Sequence, residues 1–222
     1  MTTGSAHIFS LIKSNSMDEL KALLKDDPSA ADMVNEQHVT LLMTAVYYRN
    51  KEAIELIKKY KLELLSPWEA ACTGEITELQ HQLVSDPSFL NKSSPDGFSL
   101  LGYACFFEQE AIAKFLIAKG ADVNAPSANM MKVAPLHSAA AVSNFDLCKL
   151  LLERGANPNA VQQGGYTPLH AAAQNGRNDI AKLLLEYWAD KSLLTDKGES
   201  AVDLATGKGH KETAELIREY KL

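Results

Sequence analysis

The chain has 222 residues, of which 46% are hydrophobic and 23% charged, and its formal net charge is −6 at pH 7. This composition excludes a disordered chain, and the acidic balance argues against nucleic acid and anionic membrane surfaces as partners. The first residues show no basic segment followed by an apolar core, and no apolar run reaches the roughly 18 residues of a membrane helix. We therefore expect a cytoplasmic protein without a signal peptide or a transmembrane segment.

A pair of short helices recurs along the chain, and each pair has a recognisable start position. In chain order the starts are His7, Thr40, Ser66, Ser99, Ala134, Thr167 and Ser200. The fifth residue after each start is alanine or isoleucine, and the seventeenth is leucine or isoleucine in every copy. Such columns indicate a repeat whose copies share one core. The predicted repeats span about 5–34, 38–60, 64–93, 97–127, 132–160, 165–193 and 198–220, within a single domain, 1–222.

The clearest copy begins with Thr167-Pro168-Leu169-His170-Ala171-Ala172. Thr167 is an expected N-cap, and Pro168 occupies the first helical position, where its missing N–H has no cost. A helix–turn–helix unit of about 33 residues with the pattern Thr-Pro-Leu-His-x-Ala resembles the ankyrin repeat. The segments 95–98 and 162–166 are also similar to the fingers of stand-alone bacterial ankyrin-repeat proteins. The resemblance implies an all-α ankyrin-repeat solenoid of seven helix–turn–helix repeats with short β-hairpin fingers.

Some copies depart from this pattern. The first lacks a Thr-Pro start and has polar residues that suit an end cap. Ser66 comes early, only 26 residues after Thr40, so the finger between repeats two and three should be missing or irregular and leave a notch. Repeats one and two also align with repeats three and four, which pairs Asp27-Pro28 with Asp86-Pro87 as helix stops.

Trp188 is a further departure, because Gly120 and Gly155 occupy the same column in the neighbouring copies. A left-handed backbone is expected there, at a cost of roughly 1 kcal/mol or more for a residue other than glycine. The simplest account is a reshaped turn in which the indole packs on Leu193 or Leu194. A contact with another molecule is the alternative.

No residue set in the sequence indicates catalysis. His137 and His170 each lie three residues after a start, where the ankyrin-like motif uses imidazole as a hydrogen-bond partner of the helix start; a ligand or acid–base role is the alternative. The cysteines, Cys72, Cys105 and Cys148, have no metal-ligand spacing and cannot all pair, which favours small core residues in a reducing compartment. We therefore expect no enzyme, no catalytic residue, no cofactor and no metal.

A binding function gives a sharper hypothesis. The resemblance implies a concave groove formed by the finger tips and the exposed ends of the first helices. Positions that face only solvent are expected to be polar. In the middle copies these positions are instead apolar and aromatic, as in a binding hot spot. The predicted partner-binding residues are Tyr47, Tyr48, Phe98, Phe106, Phe107, Met130, Met131, Val142 and Tyr166. Internal packing of these rings is the competing interpretation.

These observations predict a non-catalytic protein–protein interaction module, acting as a scaffold, adaptor or inhibitor on a protein partner in the groove. We expect it to be a monomer. The alternative is a self-associating structural protein that uses the same apolar groove.

Overall fold

The computed structural model describes residues 3–221, and within this range the chain forms fourteen α-helices. The first helices of the pairs are α1 (Thr3–Lys13), α3 (Leu41–Tyr47), α5 (Pro67–Thr73), α7 (Leu100–Phe106), α9 (Pro135–Ala141), α11 (Pro168–Gln174) and α13 (Ala201–Gly207). The second helices are α2 (Met17–Asp26), α4 (Lys51–Tyr60), α6 (Ile76–Ser85), α8 (Glu110–Ala118), α10 (Phe145–Glu153), α12 (Asn178–Glu186) and α14 (Lys211–Glu219). Short 3-10 helices, Pro28–Asp32 and Pro87–Asn91, follow α2 and α6. The predicted all-α fold of seven helix–turn–helix repeats is confirmed.

The start positions are N-caps in front of six first helices. Thr167 Oγ1 accepts a hydrogen bond from the backbone N–H of His170 at 3.5 Å, and Pro168 is the first helical residue. Side-chain oxygens at four other starts act in the same way: Thr40, Ser66, Ser99 and Ser200. Such caps satisfy backbone donors that have no partner within the helix. The local sequence therefore determines where these helices begin.

The first start position is an exception, and its prediction was wrong. His7 lies inside α1, which begins at Thr3. The imidazole has no oxygen to cap a helix, and no proline follows it, so nothing local prevents the helix from beginning earlier. The His7 ring instead lies 2.9 Å from the carboxylate of Glu19 on α2, measured from Nε2 to Oε1.

The described residues divide into two compact units, one that ends at Glu78 and one that begins at Leu79. A single domain therefore stays a prediction. In the first unit the core joins α1, α2, α3 and α4 and the 3-10 helix after α2. Its fully or almost fully buried members include Ile8, Ile12, Leu20, Leu24, Leu41, Leu42 and Ile57.

The core of the second unit repeats the two predicted columns. The alanines five residues after the starts are fully buried at Ala104, Ala139, Ala172 and Ala205. In the second helices the matching aliphatic column is also buried: Leu83, Leu116, Leu151, Leu184 and Ile217. Alanine on the first helix lets the next layer approach closely, and the larger aliphatic side chain fills the space behind it. The columns of the first unit are buried in the same way.

Side-chain oxygens link the loops that follow successive second helices. In the second unit Asn91 Oδ1 accepts from the N–H of Asp122 at 3.0 Å, and Asn124 Oδ1 accepts from the N–H of Asn157 at 2.7 Å. Asn159 continues this ladder to the N–H of Asp190 at 2.7 Å. One such bond per layer holds the loops at the repeat spacing.

Short hairpins connect most repeats. Isolated antiparallel bridges pair Val34 with Thr40, Ser93 with Ser99 and Leu194 with Ser200. The finger before Ala134 instead closes from the N–H of Ser127 to the carbonyl of Val133 at 2.9 Å, because its loop has two extra residues. The predicted short β-hairpin fingers are confirmed.

A buried ion cluster replaces the finger between repeats two and three, where residues 61–66 form no bridge. The Lys61 ammonium lies 2.8 Å from Asp32 Oδ1 and 3.7 Å from Glu69 Oε1, and its side chain is 6% exposed. The second oxygen of Asp32 accepts from the N–H of Leu62 at 2.9 Å. Beside this segment the predicted notch is present as a cavity of about 240 Å³, lined by the leucines 64 and 65, the lysines 58 and 61 and the glutamates 63, 75 and 78.

Glu69 holds this cluster from the column that His137 and His170 occupy in other repeats. Its Oε2 accepts from the Ser66 N–H at 2.8 Å, and its Oε1 accepts from Thr40 Oγ1 at 2.7 Å. A carboxylate can accept from both starts and still face an ammonium, whereas a neutral imidazole has only one acceptor nitrogen. Repeats two and three are therefore joined by the ion cluster of Asp32, Lys61 and Glu69 instead of by backbone pairing in a finger.

Candidate partner-binding surface

The predicted partner-binding residues fall into two exposure classes. The exposed class comprises Tyr47 (39%), Tyr48 (53%), Phe106 (39%), Met130 (82%) and Met131 (45%). The half-buried class comprises Phe98, Phe107, Val142 and Tyr166. The exposed residues lie where a partner could bury them, and the half-buried ones already contribute to packing within the chain.

Two of the half-buried aromatics, Phe98 and Phe107, pack on one tyrosine of the second unit. Tyr103 is 3% exposed, and its ring centroid lies 5.5 Å from that of Phe98 and 6.2 Å from that of Phe107. Phe106 meets Phe107 edge to face at 5.1 Å. Aspartate at 107 would therefore disturb the packing on Tyr103 as well as any partner contact. Phe106 is the better residue for a binding test.

The finger that carries Phe98 is attached to α7 by polar bonds. The Tyr103 hydroxyl donates to the carboxylate of Asp96, and Ser94 Oγ donates to the same oxygen at 2.5 Å. Ser94 Oγ also accepts from the N–H of Phe98 at 2.9 Å. These bonds fix the finger that carries the ring of Phe98, which would lower the entropy lost if a partner bound there.

Met130 and Met131 lie on a finger that is linked to its neighbours through the backbone. The Ala128 N–H donates to the carbonyl of Gly97 at 2.7 Å, and the Gln163 N–H donates to the carbonyl of Met131 at 2.9 Å. A side chain at Gly97 would place its Cβ 2.7 Å from the backbone nitrogen of Asn129, so only glycine allows this approach. The two methionines are thus flexible side chains on a fixed backbone.

In the first unit, Tyr47 and Tyr48 end α3. Tyr47 is the last helical residue, and Tyr48 is the C-cap, whose N–H donates to the carbonyl of Thr44 at 3.1 Å. The cap fixes the backbone beneath both exposed rings. They correspond in repeat position to Phe106 and Phe107 of the second unit.

His137 and His170 form capping contacts. The N–H of Ala134 donates to His137 Nδ1 at 3.2 Å, and His137 Nε2 lies 2.9 Å from the carbonyl oxygen of Ala160. The N–H of Thr167 likewise donates to His170 Nδ1 at 3.1 Å. Burial lowers the pKa of both imidazoles below the ordinary value, so the neutral form is favoured. The predicted hydrogen-bonding function of these histidines is confirmed.

The cysteines are buried core residues, as expected. Burial raises the pKa of the Cys148 thiol to about 12, and burial also raises the pKa of the Cys105 thiol. A nucleophilic cysteine needs a stabilised thiolate, and these surroundings oppose one. No cluster of three metal-ligating side chains occurs within residues 3–221. No helix in that range is long and apolar enough to cross a membrane.

Sequence reasoning missed some exposed apolar residues. Val84 is 81% exposed on α6, although the same column is buried at Ile117 and Leu152. Leu62 and Leu64, at 71% and 80%, lie in the segment that replaces the missing finger. The early start at Ser66 was the available signal for the leucines, and the signal for Val84 was Lys25, which occupies the same column in the related repeat one.

Trp188 also differs from expectation. Its backbone is left-handed, with φ of +66°, as at Gly120 and Gly155, and the indole is 71% exposed, so the expected reshaped turn with a packed indole was wrong. Asn159 Nδ2 donates to the Trp188 carbonyl at 3.0 Å, which repeats the bond from Asn124 to Gly155. The asparagine ladder holds this backbone shape, and the strain is not compensated by burial of the ring.

The geometry agrees with a comparison against protein families. A family model described as ankyrin repeats matches residues 68–162 and 136–221, which together cover well over half of the chain. The chain belongs to the ankyrin-repeat family. Ankyrin repeats are in general non-catalytic modules that bind other proteins, and their partners differ from one protein to the next.

Curated proteins are similar to parts of the chain. Mouse RelA-associated inhibitor is 36% identical over 90 residues, which are 40% of this chain and 10% of that protein. A putative ankyrin repeat protein of fowlpox virus, FPV014, is 26% identical over 166 residues, or 71% of this chain and 37% of the viral protein. The Caenorhabditis elegans E3 ubiquitin-protein ligase hecd-1 is 34% identical over 93 residues, or 42% of this chain and 3% of the ligase. The chain thus spans between 3% and 37% of these relatives.

Proposed function

We propose that this ankyrin-repeat chain is a non-catalytic module that binds a protein partner through apolar side chains on its fingers and first helices, as a scaffold, adaptor or inhibitor. The supporting observation is the exposure of Phe106, Met130 and Met131 at these positions. A position that faces only solvent is normally occupied by a polar side chain. Exposed apolar side chains on a backbone held by hydrogen bonds therefore favour a binding surface.

The side chains would contribute to such a surface in different ways. Phe106 supplies a ring braced by its neighbour Phe107 at 5.1 Å, so little freedom is lost when a partner covers it. Met130 and Met131 are unbranched and adapt to an irregular partner surface. The first unit has its own exposed rings, Tyr47 and Tyr48, each of which combines an apolar ring with a hydroxyl that can donate or accept a hydrogen bond.

Binding can be tested with a charged finger. The double change Met130→Asp and Met131→Asp should weaken capture of the partner by more than about tenfold, because hot-spot residues typically contribute about 2 kcal/mol or more. Proteins recovered from the source cells with the unmodified chain should be identified by mass spectrometry, and the affinity of the recovered partner should then be measured by calorimetry. The free energy of unfolding should stay within about 0.5 kcal/mol, since both side chains are exposed.

The matched control is Val161→Asp, which places a charge at an apolar residue that is 55% exposed on the next finger but outside the predicted set. Equal loss of partner with Val161→Asp would contradict the proposed surface. Self-association is tested separately by light scattering over a range of concentrations. A concentration-dependent mass that Met130→Asp abolishes would favour the self-associating alternative.

A further inference from the structure

A cavity lies on the second unit, outside the predicted partner-binding set. It has a volume of about 570 Å³ and is bounded by α6, the 3-10 helix Pro87–Asn91 and α8. Its apolar walls are Leu83, Val84, Pro87, Leu90 and Phe115. Sites for small molecules commonly have volumes of about 300 to 1,000 Å³ and mostly apolar walls. The size and lining thus suit a small ligand.

The sequence of the 3-10 helix accounts for the opening. In repeat one, Ala30 and Ala31 follow the Asp-Pro-Ser motif and are fully buried. In repeat three, Phe89 and Leu90 occupy these positions and are only half-buried. Phe89 and Leu90 therefore leave apolar surface accessible to solvent. In repeat one the smaller Ala30 and Ala31 allow the same place to be fully buried.

Val84 adds exposed apolar surface on the neighbouring helix, α6. In repeats four to six its column is aliphatic and almost fully buried, at Ile117, Leu152 and Leu185, with exposures of 8%, 3% and 0%, whereas the related repeat one has the exposed Lys25 there. Val84 itself is 81% exposed. An aliphatic side chain left in water gains free energy when an apolar ligand covers it.

The charge of Lys119 in the cavity lining favours an anion. The side chains of Lys119 and His81 contribute to its lining, and among residues 3–221 no acidic residue does. Lys119 Nζ lies 5.8 Å from the centre of the Phe115 ring and forms no ion pair with a described residue. Asp86, which precedes the 3-10 helix, already accepts a hydrogen bond from the N–H of Ser88 at 3.0 Å. An ammonium beside an apolar wall complements a ligand with a carboxylate at one end.

We propose that this cavity binds a small amphiphile with an apolar body and a carboxylate head, of the medium-chain fatty-acid type. The apolar body covers Val84, Leu90 and Phe115, and the carboxylate lies beside the Lys119 ammonium. Because the carboxylate stays at the solvent-exposed rim, its attraction to Lys119 should weaken as the salt concentration rises.

The test uses monomeric octanoate and the full chain in isothermal titration calorimetry. We expect saturable binding with one site, and binding of 1-octanol that is several-fold weaker. Val84→Trp, which fills the mouth of the cavity from an exposed position, should weaken octanoate binding at least tenfold. Lys119→Glu should weaken it at least fivefold. Circular dichroism should show unchanged helix content in both variants.

The chain supplies a matched control for each variant. Lys25→Trp alters the residue that aligns with Val84 in repeat one, and Lys114→Glu reverses a charge on α8 outside the cavity; both should bind octanoate within twofold of the unmodified chain. The absence of saturable binding, or full binding by Val84→Trp, would overturn the proposal. Equal affinity for octanol and octanoate would overturn the carboxylate assignment, and binding only to phosphatidylglycerol vesicles would indicate a membrane surface instead.

Discussion

The buried cation at Lys61 offers a sharp test of how the chain replaces its missing finger. Lys61→Met keeps most of the side-chain length but removes the charge that faces Asp32 and Glu69 at 2.8 and 3.7 Å. Removing one partner of a buried ion pair costs about 3–5 kcal/mol, because the remaining charge stays buried. Asp32 keeps hydrogen bonds from backbone N–H groups, so we expect the lower end, about 3 kcal/mol.

The assay is the free energy of unfolding from urea denaturation at neutral pH. The matched control, Lys51→Met, removes an exposed lysine from the first position of α4, the helix that Lys61 follows, and should change the free energy by less than about 0.5 kcal/mol. Adding Asp32→Asn to Lys61→Met should recover part of the loss, because an uncompensated charge is then absent. If Lys61→Met and Lys51→Met have equal effects, the buried cluster does not stabilise the fold and the reasoning is refuted.

The pH dependence of the same cluster has a definite sign. Burial by itself raises the pKa of Asp32, but the hydrogen bonds from Lys61 and from backbone N–H groups lower it more, so the net pKa lies below the ordinary value of 3.8. The stability that this ionised carboxylate contributes is therefore complete above about pH 4 and is lost as the pH falls through its folded-state value. Lys61→Met should reduce this acid-dependent loss.

Further changes test the other structural conclusions. Leu151→Ala should lower the free energy of unfolding by about 2–5 kcal/mol through a core cavity, whereas Leu62→Ala, at an exposed leucine, should change it by less than about 0.5 kcal/mol; equal effects would contradict the column assignment. Trp188→Gly should raise the free energy of unfolding by about 0.5–1 kcal/mol by relieving the left-handed strain, and Trp188→Ala, which keeps a Cβ, should not; a loss with glycine would mean that the indole stabilises the fold. Because burial lowers the pKa of His137 and His170, their protonation favours the unfolded chain, so stability should fall as the pH drops below about 6.5. Urea denaturation at pH 7.5 and 5.5 should show a smaller drop for the double variant His137→Gln with His170→Gln, and an equal drop would contradict this assignment.

Much of the fold was predictable because its signals are local and repeated. The cap at Thr167 and the proline after it act within one helical turn, and the aliphatic column through Leu151 follows from the helical period. The early start at Ser66 correctly predicted an irregular connection. What it could not reveal was the replacement, because Asp32, Lys61 and Glu69 are far apart in sequence and meet only when successive repeats stack.

The binding residues were less predictable than the fold. Their repeat positions follow from counting, but exposure depends on the side chains of neighbouring layers. Phe106 is exposed and Phe107 is half-buried because Tyr103 lies beneath the second ring. Val84 is exposed although the same column is buried in three other repeats, and nothing in its own sequence neighbourhood shows this.

The sequence by itself determined the period of the ankyrin repeats, the starts of most helices and the buried columns, because each depends on residues within a few turns of one another. Only the tertiary structure decided which apolar side chains face solvent, which charges are buried together and where a cavity remains. These features depend on contacts between layers about 30 residues apart, where the volume of one side chain, such as Leu90 in place of Ala31, determines whether the layers close.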